Sequence, residues 1–192
     1  EALRLDPVVS TPVRKAASAE GGRLDATSDD GVFQGLLGTD SVFAGVCRLA
    51  SLRTAAEPFR VRLLETLVAL VCAAPTIHRR VATTKMRDGL LSVVAAADSP
   101  AAFEWLMSLM AEMATLTGEG QRVLTHPDIR SSLVAAAASG DPRTAKDVAY
   151  WTARATCQLA ANNDAGKALL ATEAVRDMVL LRIGVNTLDE GT

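Results

Sequence analysis

From Gly31 onward, apolar residues recur every three or four positions, in stretches separated by short breaks rich in proline, glycine or asparagine. That spacing follows the 3.6-residue turn of the α-helix and predicts a chain that is helical almost throughout. The breaks fall at Pro58, Pro75, Ser99-Pro100, Gly118-Glu119-Gly120, Gly140-Asp141-Pro142 and Asn162-Asn163-Asp164. Residues 1–30 differ in kind. Pro7, Pro12, Gly21, Gly22 and the polar stretch from Asp25 to Asp30 leave no sustained period. They read as a mobile or loosely docked leader with a short helical stretch around Val13 to Ala19, or alternatively as the first helix of the fold.

The breaks come at a near-regular interval, which is the signature of internal repetition. Met86-Arg87-Asp88-Gly89-Leu90-Leu91 falls over Ile129-Arg130-Ser131-Ser132-Leu133-Val134 at an offset of 43, and over Val175-Arg176-Asp177-Met178-Val179-Leu180 at 89. A short stretch precedes each block: Arg79-Arg80-Val81, Arg122-Val123-Leu124 and Ala168-Leu169-Leu170. Before that comes a polar turn, at Pro75, Gly118 and Asp164. Before the turn lies a longer apolar helix ending in Leu67-Val68-Ala69-Leu70, Met110-Ala111-Glu112-Met113 or Thr156-Cys157-Gln158-Leu159. Val32-Phe33-Gln34-Gly35-Leu36-Leu37 is a weaker fourth copy of the short block, and its 54-residue distance to the next implies an insertion near Arg53 to Pro58.

A long helix, a polar turn, a short helix and a medium helix per unit, at spacings of 43 and 46, resemble the armadillo and HEAT families of helical repeats. The segment Leu159 to Val179 resembles an armadillo repeat passing from its third helix into the next repeat's first and second, and Val71 to Val94 and Ala114 to Ala136 follow it less closely. The resemblance covers roughly residues 59–184. It implies an all-α fold, a short right-handed α-solenoid of about three armadillo-like repeats spanning 31–188 behind the 1–30 leader. In such solenoids one helix of each unit lines a concave binding face, and in armadillo proteins it is the third. Peptide-binding members carry an Asn ladder there, with Trp one turn earlier. The matching positions here are Ala69, Glu112 and Gln158, and Glu65, Ser108 and Arg154, so the ladder is absent and import-signal recognition of that type is not expected. What the resemblance implies instead is a protein-interaction scaffold or adaptor, gripping a peptide segment or a protein subunit through the concave face.

Composition agrees with closely packed helices. The chain has 34 Ala and 24 Leu against 18 Val and 3 Ile, and aromatic residues make up 4%. The formal net charge of −2 sits entirely in the leader, since the rest is balanced. Such a balance argues against a surface that grips nucleic acid or anionic membrane by bulk charge. No apolar run is long enough to cross a membrane. Cys47, Cys72 and Cys157, with His78 and His126, form neither a disulfide framework nor a zinc spacing, so no metal or cofactor is expected and a reducing, cytoplasmic setting fits.

Two turns before the Asn positions, and therefore on the same helical face, stand Arg62, Trp105 and Trp151. These are both tryptophans of the chain, at equivalent positions. Trp and Arg dominate interface energetics because they bury large area and also hydrogen-bond. The expected partner-binding groove is therefore Arg62, Trp105, Glu112, Tyr150, Trp151, Arg154 and Gln158; the competing assignment makes each Trp core beneath its neighbour. Arg87, Arg130 and Arg176 recur after the first apolar residue of the second helix, and with the His78-Arg79-Arg80, Lys85, Arg87 cluster they supply the alternative reading, a nucleic-acid-associated repeat protein. A solvated face is the plainer account of both. Phosphate-cradling, nucleophile-elbow and zincin motifs are absent, and Cys72 with His78 lacks a third group, so an enzyme is not expected. The C-terminal block Val175, Met178, Val179, Leu180, Leu181 and Ile183 is strongly apolar for an end unit, so the final tail folds back over it, the chain is a fragment, or another subunit covers it through self-association or docking into a larger assembly.

Overall fold

The computed structural model describes residues 40–73, 80–116, 118–139 and 146–188. The leader, the Val32 to Leu37 block, His78 and Arg79, and the breaks at Pro75 and Gly140 to Pro142 lie outside these residues. Among the described residues the chain is all-α, with no strand: α1 Asp40–Ala50, α2 Glu57–Ala73, α3 Thr84–Val94, α4 Pro100–Leu116, α5 Gly118–Leu124, α6 Pro127–Ala138, α7 Lys146–Ala160, α8 Asp164–Leu170 and α9 Glu173–Leu188.

The helix starts follow from local chemistry. Side chains accept the orphan N–H groups of a first turn. Thr83 Oγ1 accepts from the Met86 amide at 3.2 Å, Ser99 Oγ from Ala102 at 3.2 Å, His126 Nδ1 from Asp128 at 3.3 Å and Thr172 Oγ1 from Val175 at 3.4 Å. Pro100 and Pro127 then occupy the first position of α4 and α6, where a missing N–H costs nothing. Pro58 likewise opens α2 instead of interrupting it. Gly118-Glu119-Gly120, read from sequence as a break, is the first turn of α5, with the Glu119 carboxylate at the helix N-terminus and Gly120 buried.

The end of α7 shows how the Asn162-Asn163-Asp164 break works. Asn162 takes a left-handed φ of 53°, which closes a helix and which asparagine tolerates. The last carbonyls of α7 then need donors. Gln121 Nε2 of α5 donates to Gln158 O at 2.7 Å and Ala161 O at 2.8 Å, and Asn163 Nδ2 donates to Leu159 O at 2.9 Å. Gly166 of α8 passes so close beneath that a Cβ there would strike the Leu159 carbonyl and the Asn163 side chain.

Packing sorts the helices into two rows. The long helices touch in series, α2 on α4 and α4 on α7, the latter being the broadest contact among the described helices. Behind them α1 meets α3, α3 meets α6, and α6 meets α9. Cys72, near the end of α2, feels the charges of Glu112 and Arg154. Glu104 near the start of α4 feels Asp147 near the start of α7, and Glu112 pairs with Arg154 further along both. The long helices therefore run side by side in one direction, with the shorter helices carrying the chain back between them. One core fills the space between the rows, built largely from Leu, Met, Val and Ala, with Phe43, Leu106, Met107, Leu109 and Met110 fully buried.

Arg60 is the charged exception in that core. It is 3% exposed, and its Nε donates to Ala50 O at 3.0 Å, Nη2 to Leu52 O at 3.2 Å and Nη1 to Asp98 at 3.3 Å. A guanidinium thus caps the C-terminal carbonyls of α1, where the helix dipole favours a cation, and ties the α1–α2 turn to the α3–α4 turn.

Candidate functional site

The outer surface of the long-helix row carries most of the residues singled out in sequence. Arg154 is its centre. Its Nη2 lies 3.1 Å from Glu112 Oε1, an ion pair that joins α7 to α4, with side chains 28% and 16% exposed. The same guanidinium sits 5.1 Å from the centroid of the Trp151 ring and 3.5 Å from the Tyr150 hydroxyl. Tyr150 in turn meets Trp151 edge-on, centroids 5.1 Å apart and planes at 77°. Glu112, Tyr150, Trp151 and Arg154 therefore form one connected cluster, fixed by an ion pair, a cation–π contact and an aromatic pair.

The two tryptophans have different environments. Trp151 is 3% exposed and belongs to the core beneath this surface, roofed by Arg154. Trp105 is half-buried, packed on the core at one side and open at the other. Gln158 is half-buried one turn beyond Arg154. Arg62 stands apart on α2, exposed and paired at 2.6 Å with Glu65 one turn on.

Of three further residues that sequence reading left outside the site, Cys72 and Glu104 belong to the same surface and Ser108 lies buried beneath it. The Cys72 thiol has its pKa pushed up to about 11, first by desolvation, then by the Glu112 carboxylate, with Arg154 pulling the other way. Glu104 has its pKa raised by partial burial and by the Asp147 carboxylate across the α4–α7 contact. Ser108, one turn from each of Glu104 and Glu112 on α4, has the only buried side-chain polar atom among the described residues without a hydrogen-bond partner. Other helical hydroxyls bond the carbonyl four residues back, as Thr115 does to Ala111 O at 2.7 Å and Thr152 to Val148 O at 2.7 Å. The register that joins Glu112 to Arg154 sets Ala69 opposite Ser108, so no polar group is supplied from α2.

Two of the three recurring arginines behind the alternative reading pair with the carboxylate that follows them in sequence. Arg87 lies 2.7 Å from Asp88 and Arg176 lies 2.8 Å from Asp177. Among the described residues no group of three His, Cys, Asp or Glu side chains is placed to hold a metal ion, and no helix is long and apolar enough to cross a membrane. No protein-family model, curated protein or solved structure matches this chain.

Proposed function

We propose that the chain is a protein-interaction scaffold, an armadillo-like α-solenoid that grips a peptide segment or a protein subunit with the outer surface of its long-helix row. The observation that carries this reading is the Glu112–Arg154–Trp151–Tyr150 cluster. It places polar and aromatic groups across two neighbouring helices in fixed positions, so little side-chain entropy is left to lose when a partner docks. Half-buried Trp105 and Gln158 flank the cluster and add an amphipathic ring and an amide for backbone hydrogen bonds. The parallel run of α2, α4 and α7 supports the solenoid reading, because parallel neighbours require return helices of the kind that α5 and α6 supply.

A displayed library of random peptides, panned on the 192-residue chain, tests the proposal. Enriched peptides are expected to lose at least about tenfold in affinity for Tyr150→Ala and Glu112→Lys, as truncated interface anchors do. They should bind unchanged to Ser131→Ala and Asp88→Asn on the opposite row. Thermal melts by circular dichroism establish that each variant is folded. Peptides indifferent to the first pair and sensitive to the second would overturn the reading.

A further inference from the structure

Among the described residues the contact between successive long helices occurs twice, and each of its two halves is left open once. Offsets of 43 and 46 residues bring α2, α4 and α7 into register. In that register one row reads Leu64, Leu67 and Val68 on α2, Met107, Met110 and Ala111 on α4, and Ala153, Thr156 and Cys157 on α7. The first two sets are fully buried, whereas Ala153 and Cys157 are exposed and Thr156 is half-buried. A second row reads Ala102, Leu106, Leu109 and Met113 on α4 and Val148, Thr152, Ala155 and Leu159 on α7, all buried. On α2 the same row is Phe59, Leu63, Thr66 and Leu70, of which Phe59 is 49% exposed and Thr66 is exposed. Because, among the described residues, α2 has a long neighbour on one side only and α7 on the other only, the first row faces the following helix and the second the preceding one.

We propose that a second copy of this chain completes the series, the Phe59 row of its α2 seating on the Ala153 row of α7 as α4 seats on α2 and α7 on α4. The receiving end is shaped for it. Ala149, Ala153, Thr156 and Cys157 of α7, with Met178 and Val179 of α9, line an apolar hollow of about 460 Å³. Small residues there leave room that larger side chains fill between α4 and α7, and the incoming row presents Phe59, Leu63 and Leu70. The polar contacts also match. The register that pairs Glu112 with Arg154 sets Gln158 against Glu65 of the second copy, an amide facing a carboxylate. The contact is head-to-tail, so it does not close on itself, and further copies add to the same free ends. The seam borders the outer surface, which it meets at Tyr150 on the rim of the hollow and at Gln158.

Sedimentation of the full chain from micromolar to millimolar concentration tests the proposal, with two variants at positions exposed in the single chain. Ala153→Arg spoils the receiving end and Phe59→Glu the incoming end, each placing an unpaired charge in an apolar contact. The wild type is expected to gain mass with concentration and not to plateau at two copies. Each variant alone should weaken association at least about 100-fold. An equimolar mixture of the two should form a dimer and stop there, since Ala153→Arg keeps a sound Phe59 row and Phe59→Glu a sound receiving end. A wild type that stays monomeric overturns the proposal. So does a wild-type dimer indifferent to both variants, or one that responds to Ala153→Arg alone, which would place another segment in the hollow.

Discussion

α4 and α7 carry the same helical rows 46 residues apart, and they differ in what covers them. α4 is enclosed by a long helix on either side and fills both rows with Leu and Met. Among the described residues α7 has such a neighbour on one side only. Its covered row keeps Val148 and Leu159, while its open row has shrunk to Ala153, Thr156 and Cys157. Burial sets the chemistry each position needs: a large apolar side chain stabilises where it displaces water, and a small or polar one limits the apolar surface left facing water.

The sharpest way to break the comparison is to truncate the same position on both helices. Met110→Ala on α4 removes a fully buried side chain between packed helices and should cost about 2–5 kcal/mol. Thr156→Ala, its counterpart on α7, should stay within about 0.5 kcal/mol of the wild type. Urea denaturation at low protein concentration measures both. Equal losses would mean that the two rows are equally covered in the single chain.

α2 supplies a third version of the same series. The position that is Phe103 in α4 and Ala149 in α7 is Arg60 in α2, where the guanidinium replaces packing with three hydrogen bonds. Arg60→Met keeps the length and removes the donors, stranding the carbonyl of fully buried Ala50. It should cost about 2–3 kcal/mol in urea. Arg60→Lys should recover only part of that, because one ammonium cannot reach both turns with the geometry of the fork. A neutral Arg60→Met would show that the α1 end is held by apolar contacts alone.

Much of this was legible in the sequence, for reasons the structure makes plain. The 43- and 46-residue offsets came from spaced Leu, Ala and Arg, and they place equivalent rows on equivalent faces because helical periodicity ties spacing to direction. Helix starts were legible where a proline or a hydroxyl cap stands alone, as at Ser99-Pro100. They were not where glycine joins a first turn, as at Gly118. The cluster around Arg154 was half-legible. Glu112, Tyr150, Trp151 and Arg154 were named, but the roofing of Trp151 depends on where Arg154 turns once Glu112 pairs with it. Cys72, the Glu104–Asp147 opposition and the Asp98 contact of Arg60 were missed because each depends on residues 38 or more positions away, which local spacing cannot report.

The Cys72–Glu112–Arg154 column offers a kinetic reading of how tightly the three long helices are held together. With its pKa at about 11, the Cys72 thiol should alkylate slowly at pH 8 despite its exposure, the rate rising about tenfold per pH unit as thiolate forms. Glu112→Gln removes a charge that opposes the thiolate and should speed alkylation by iodoacetamide several-fold. Arg154→Ala removes the one that favours it and should slow the reaction. Mass spectrometry of the Cys72 peptide resolves it from Cys157. No response to either variant would mean that the column is not held in solution.

The smallest expected effect lies where α4 and α7 oppose like charges. Partial burial and the Asp147 carboxylate raise the pKa of Glu104 above the ordinary glutamate value. The folded chain then holds that proton more tightly than the unfolded chain, so stability falls as pH climbs from the unfolded pKa to the raised folded one, and the cost is fully present above it. Glu104→Gln removes the cost. At neutral pH the variant should be the more stable, by less than about 1 kcal/mol because the side chain is only half-buried and solvent screens the pair. Its advantage should shrink through the raised pKa and disappear below the unfolded glutamate range. Asp147→Asn should produce a smaller gain over the same window, since it relieves only the second of the two causes. A Glu104→Gln advantage that persisted undiminished into acid would instead assign the effect to side-chain packing, and the electrostatic contrast between the two helices would be lost.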